Sequence, residues 1–196
     1  MAPPDGATVV SSFGAPAGEA AARGQEAADF SFNFRYAPWV EVLKLFADRA
    51  GLTLDLNTVP PGTFNYYDDG AYTITQALDI INGYLIPKGY ILVRRDRFLV
   101  CVNVDTTIPP SIVPNVDKAE LYQRGNNELM TVVFPVEGAN IDDVVKEVGQ
   151  LVGPQGKPVG LKSTNSIVVT DIGSNLRRID ELLRQISAGP ESTVFK

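Results

Sequence analysis

The sequence predicts an α+β protein of two small domains, each with helices packed on one face of a short mixed sheet. Three observations predict it. From Thr164 to Ile186 the apolar residues change period: Ile167 and Val169 alternate across a pleat, and after Gly173 Leu176, Ile179, Leu182, Leu183 and Ile186 follow helical spacing. Near the other end Phe30, Phe32, Phe34 and Tyr36 alternate with Ser31, Asn33 and Arg35, the pattern of a half-buried strand. Between these regions, residues 104–127 carry Pro109, Pro110 and Pro114 among mixed polar side chains, which is the composition of a linker.

In chain order, residues 1–28 are rich in Ala, Gly, Pro and Ser and read as a flexible leader. The first domain is expected over 29–103. After the aromatic strand, Pro38 sits at a helix start and Trp39, Leu43, Phe46, Ala47 and Ala50 share one helical face until Gly51 supplies a left-handed cap. Leu52, Leu54 and Leu56 alternate as a second strand. A short extended piece at Thr63–Tyr67 leads to a turn at Asp68, Asp69 and Gly70. Thr73 and Gln76 then form the signature of a capping box for a helix whose inner face is Ile74, Ala77, Leu78, Ile81 and Leu85. Pro87 and Gly89 end it, and Tyr90–Val93 and Phe98–Val102 read as two strands joined by a polar turn, Arg94 to Arg97.

After the linker, with a short helical turn expected near Asp117–Tyr122, the second domain is expected over 128–187. It begins with a strand at Thr131–Val136 and a helix at Ile141–Val152, whose stripe is Ile141, Val144, Val145, Val148, Leu151 and Val152. The loop GPQGKP and a strand near Val159–Lys162 precede the strand and helix described first. The order is strand, helix, strand, strand, helix. Residues 188–196 read as the start of a linker to a further region.

Composition removes much familiar chemistry. The 196 residues include no histidine and one cysteine, Cys101, in an apolar strand, so neither an intrachain disulfide nor a histidine-based catalytic set is available. A formal net charge of −6 disfavours nucleic acid at long range. No apolar run approaches the roughly 20 residues of a membrane helix, so direct membrane insertion by this segment is not expected. Two acid pairs, Asp68 with Asp69 and Asp142 with Asp143, are accounted for by a turn and by a helix N-terminus. Neither is accompanied by a further ligand, so no catalytic, metal or cofactor site is expected. Gly153-Pro154-Gln155-Gly156 has the form of a nucleotide-clamping GXXG loop, but it leads from a helix into a strand and its Pro removes an amide donor.

The residues left for protein contact are of two kinds. Tyr66, Tyr67 and Tyr72 flank the acidic turn without a periodic reason to be buried. Arg94, Arg95 and Arg97 form a charged hairpin tip, read either as solvated or as the complement of an acidic partner.

The phrase TNSIVVTDIGSNLRRIDELL, with the segment before it, resembles the NolW-like domain of secretins, the outer-membrane channels of bacterial type II secretion and type IV pilus systems. FRYAPWVEVLKLFADRAGLTLDL feeding ITQALDIINGYLIPKGYILV resembles the short N-terminal domain shared by secretins and TonB-dependent receptors. The resemblance implies a KH-like βαββα fold for the second domain and a non-enzymatic role in a periplasmic ring or vestibule. The implied partners are other copies of the chain and inner-membrane secretion or pilus machinery. A signalling module related to TonB-dependent receptors, and a KH-type nucleic-acid binder, are the alternatives.

Overall fold

The aromatic alternation at the start of the first domain draws the chain into β1 (Phe30–Pro38) in the computed structural model, which describes residues 30–154 and 156–188. The leader expected over 1–28 and the tail from 189 onward lie outside the described residues. β1 pairs antiparallel with β3 (Thr63–Tyr72) as a two-stranded sheet. Between them run α1 (Trp39–Ala50) and β2 (Thr53–Asp55). After them come α2 (Ile74–Leu85), β4 (Tyr90–Arg95) and β5 (Phe98–Asn103), and the second sheet has the order β2-β5-β4. The first unit therefore has two sheets with helices against both, where the sequence suggested one.

α1 and α2 form where expected. Gly51 closes α1 at φ 65°, a left-handed conformation that suits a residue without Cβ. Thr73 accepts from the Gln76 N–H at 3.2 Å while the Gln76 side chain accepts from the Thr73 N–H at 3.0 Å, completing the capping box. Their inner faces meet Phe30, Phe32 and Phe64 from one sheet and Leu92, Leu99 and Cys101 from the other in a single core. Trp39 and Phe64 pack in a tilted arrangement within it, their ring centroids 4.8 Å apart.

Two local readings are corrected. Asp68, Asp69 and Gly70 do not turn the chain but lie inside β3. The register steps from Phe30↔Tyr72 to Phe32↔Asp68, so a bulge on β3 absorbs the extra residues. Tyr36, assigned by alternation to the buried face, is 76% exposed. A second irregularity between Phe34 and Ala37, with Tyr36 at φ 51°, takes it out of the pleat.

The second unit comprises β6 (Leu129–Pro135), α3 (Ile141–Val148), β7 (Lys157–Leu161), β8 (Ser166–Ile172) and α4 (Gly173–Ala188), the predicted order. Its sheet is antiparallel, β6-β8-β7. Val132, Phe134, Ile167 and Val169 face α3 and α4, where Val144, Val148, Leu176, Ile179 and Leu183 complete the core. Asn140 caps α3 by accepting from the Asp142 N–H at 2.8 Å. The helix stops at Val148, earlier than its apolar stripe suggested, and Leu151 and Val152 pack from the following turns. Gly173 is required where β8 becomes α4, because a Cβ there would lie 2.2 Å from the Gly125 carbonyl oxygen.

The segment between the units is ordered by packing. Val113 joins Ile91, Val93 and Leu129 in a third buried cluster, while Val116 and Leu121 enter the core of the second unit. Asn115 bridges to Thr131, extending the β6 edge by one residue.

Thr73→Ala removes the α2 cap and is expected to lower stability by about 1 kcal/mol, read as a shifted urea midpoint at unchanged slope.

Candidate interaction surfaces

The tyrosines divide into one exposed side chain and two that build structure. Tyr66 and Tyr72 lie against Phe32 at 5.6 and 5.7 Å and direct their hydroxyls at Asp68 in the β3 bulge. Asp68 also accepts from the Gly70 N–H at 2.8 Å. The Tyr72 hydrogen bond, with that of Gly70, holds the Asp68 carboxyl below its ordinary value, and the same bond pushes the Tyr72 phenol up. Tyr67, by contrast, is 64% exposed and pairs with Asn33 across the β1–β3 sheet. With Arg35, Tyr36 and Asn65 it gives that sheet a polar, aromatic outer surface.

The three arginines separate too. β4 runs through Arg95, so the hairpin turn is only Asp96 and Arg97, with Asp96 at φ 52°. Arg97 is exposed at the tip. Arg95 donates to the Ser111 carbonyl and lies 3.9 Å from Asp96. Arg94 turns to the connector, where its Nε is 3.6 Å from the buried Glu128 carboxylate. That contact gives Arg94 a structural role which spacing did not indicate.

A surface that the sequence did not single out lies on the outer face of the second sheet. Val133, Val168 and Val159 sit in register across β6, β8 and β7. Val133 and Val159 are about half exposed, at 51% and 52%. The signal was present in Val132-Val133 of β6 and Val168-Val169 of β8, where an apolar residue occupies the out-facing as well as the in-facing position. The adjoining edge strand β7 carries Lys157 and Pro158, which weaken its use for strand addition.

Two buried carboxylates close other readings. Asp171 accepts from the Gly153 N–H at 2.7 Å and from Asn175 Nδ2 at 3.1 Å. The amide that a nucleotide-clamping loop would aim at phosphate is thus spent on a carboxylate, whose charge repels phosphate. Asp180, fully buried on α4, meets Lys118 Nζ at 2.8 Å, the Tyr122 hydroxyl at 2.8 Å and Arg184 Nη2 at 2.7 Å. Burial acts to raise its pKa, but the hydrogen bonds from Lys118 and Tyr122 and both cations prevail and hold it below the ordinary value. No group of three or more metal-ligating side chains occurs among the described residues. None of their helices is long and apolar enough to cross a membrane.

The described residues thus form two small α+β units joined by an ordered connector, with exposed side chains on the outer faces of the β1–β3 and β6-β8-β7 sheets. Residues 131–191 match the Secretin_N family model, described as the bacterial type II/III secretion system short domain. Among solved structures, the chain is similar to one in the Klebsiella pneumoniae type II secretion system outer membrane complex of PulD, PulS and the PulC HR domain. The TM-score is 0.60 at 16% identity, over 82% of this chain and 27% of that one. The secretin XcpQ N-terminal domain from Pseudomonas aeruginosa, as the S210C dimer mutant, aligns with TM-score 0.32 at 17% identity, over 84% and 67% of the two chains. The Vibrio cholerae type IV competence pilus secretin PilQ aligns with TM-score 0.32 at 20% identity, over 79% and 37%. The described chain thus spans about a quarter of the Klebsiella chain. No curated protein matches. The PulD complex supports the secretin-type fold read from the sequence.

Because the folded-state pKa of Asp180 is depressed, its contribution to stability is present above the ordinary aspartate range and is lost as pH falls through the folded value. Asp180→Asn is expected to cost roughly 3 kcal/mol at neutral pH and to flatten the fall in stability below about pH 4, measured by denaturant titration across pH.

Proposed function

We propose that this chain is a non-enzymatic periplasmic ring or vestibule segment of a secretin-like outer-membrane channel. The observation that carries the reading is the Secretin_N match at 131–191, set within a fold similar to the PulD chain. The first unit contacts inner-membrane machinery and the second contacts neighbouring copies. Domain limits at 29–103 and 128–187, with a connector between, suit that division of labour. The Klebsiella complex contains the HR domain of PulC together with PulD, and a partner of that general kind is the one proposed for the first unit.

The β1–β3 sheet is the proposed partner surface, because Tyr67 and Tyr36 supply large, stiff contact area beside the hydrogen-bonding groups of Asn33, Arg35 and Asn65. The valine row is the proposed contact between copies. It offers apolar area, whereas Pro158 makes the β7 edge a poor strand partner. An isolated fragment with one such small patch is expected to be a monomer or weak oligomer, with ring formation requiring the raised local concentration of a full channel. The signalling reading fits less well, because the matched secretion-system domain has no counterpart in the plug and barrel expected of a TonB-dependent receptor.

Tyr67→Ala should weaken binding of the cognate inner-membrane partner's periplasmic domain by about tenfold or more without altering the circular dichroism spectrum. Unchanged affinity removes the β1–β3 surface from the reading. Val159→Asp should leave the fragment folded and monomeric while abolishing assembly of the complete channel into rings, assessed by native electrophoresis and electron microscopy. Normal rings from that variant remove the valine row.

A further inference from the structure

Asn82 is a buried polar residue on the otherwise apolar inner stripe of α2, and each of its polar atoms is engaged. Its Oδ1 accepts from the Leu92 N–H at 2.8 Å, and its Nδ2 donates to the Leu92 carbonyl at 3.0 Å. Leu92 lies on β4, the edge strand of its sheet, so the amide stands where a further strand's peptide would pair. The same Nδ2 donates to the Asn127 carbonyl at 3.1 Å, immediately before β6 of the second unit. One turn earlier on α2, Asp79 accepts from the Asn127 N–H, and its own carbonyl accepts from Asn127 Nδ2 at 3.1 Å. α2 therefore holds the peptide of Asn127 from two successive turns.

The opposite side of this loop is held by the second unit. The Gly173 and Ser174 N–H groups, at the start of α4, donate to the Glu128 and Asn126 carbonyls at 3.0 and 2.8 Å. These are helix N-terminal donors with no partner inside their own helix, and the loop supplies their acceptors. The loop of residues 125–128 thus lies between α2 of one unit and α4 of the other, bonded to both.

We propose that this loop is a clasp, with Asn82 as its closing residue, that makes residues 30–188 a single mechanical body. The clasp itself is independent of the secretin reading. Its consequence, that a partner drawn to the β1–β3 sheet reorients the valine row with it, rests on that reading. A carboxylate cannot reproduce the clasp, because Asn82→Asp keeps an acceptor for the Leu92 N–H but places negative charge against two carbonyl oxygens.

The test uses spin labels at two exposed acids, Asp69→Cys in the first unit and Asp143→Cys in the second, with distances read by pulsed electron resonance. The parent protein is expected to give one narrow distance and a single denaturant transition. Asn82→Asp is expected to broaden the distance distribution, raise the share of molecules away from the parental distance about tenfold, and split the transition in two. Asp79→Ala, which removes only the acceptor for the Asn127 N–H, is expected to broaden the distribution in the same direction, and it decides the matter if Asn82→Asp does not fold. A broad distribution in the parent, or a narrow parental distance in the folded variants, overturns the proposal. Because this chain is purified and measured alone throughout, these outcomes are separate from partner binding or ring assembly.

Discussion

Leu92 faces the helices of the first unit while its neighbours Ile91 and Val93 face the connector, so β4 is buried on both sides. A strand in that position needs two apolar coverings and a partner for its free edge. The helices supply one covering, Val113 and Leu129 the other, and the Asn82 amide occupies the edge. The second covering comes from chain outside the first unit, so the connector has to return across the sheet before β6 begins. Burying side chains such as Ile91 and Val93 is worth on the order of 1.5–3 kcal/mol each, enough to order a segment that would not fold alone.

The connector is then fixed from its far side by charge. Lys118 and Tyr122 reach the buried Asp180, and Arg177 donates to the Leu121 carbonyl at 3.1 Å. Asp180 and Arg177 are one turn apart on α4, so that helix faces its own sheet with Leu176, Ile179 and Leu183 and the connector with polar groups. Glu128 repeats the arrangement at the junction, where Arg94, Arg124 at 3.4 Å and the Gly125 N–H at 3.1 Å surround a nearly inaccessible carboxylate. Removing one member of such a set leaves a charge buried without its partner, which is why these residues specify geometry more strongly than an exposed ion pair does.

Much of the scaffold was legible because it follows simple periods. Phe30, Phe32 and Phe34 of β1, both helices of the first unit, the capping box and the strand-to-helix unit at 164–186 form as the spacing requires, with Tyr36 the exception. The misses have physical causes. Asp-Asp-Gly has the composition of a turn, yet Asp68 spends its acceptors on Gly70, Tyr66 and Tyr72 and stabilises a bulge within a strand. The connector's buried residues, Val113, Val116 and Leu121, follow no period, so composition registered only its prolines. Asn82, Glu128 and Asp180 read as ordinary polar residues because their partners are remote in sequence, such as Asn127 for Asn82 and Lys118 for Asp180. Of the six contact residues inferred from sequence, Tyr67 and Arg97 lie open at the surface, while Tyr66, Tyr72 and Arg94 are largely engaged within the fold.

This distribution of polar groups bears on how the chain acts. Hydrogen bonds and ion pairs at the junction are directional, whereas the apolar clusters on either side tolerate small rotations, so the junction sets the angle between the units. On the proposed clasp, the two outward surfaces, the Tyr67 side of one sheet and the valine row of the other, keep a fixed relation. Under the proposed role of holding partners in register, that relation would be the functional quantity. The buried polar residues that sequence alone passes over are the ones that determine it.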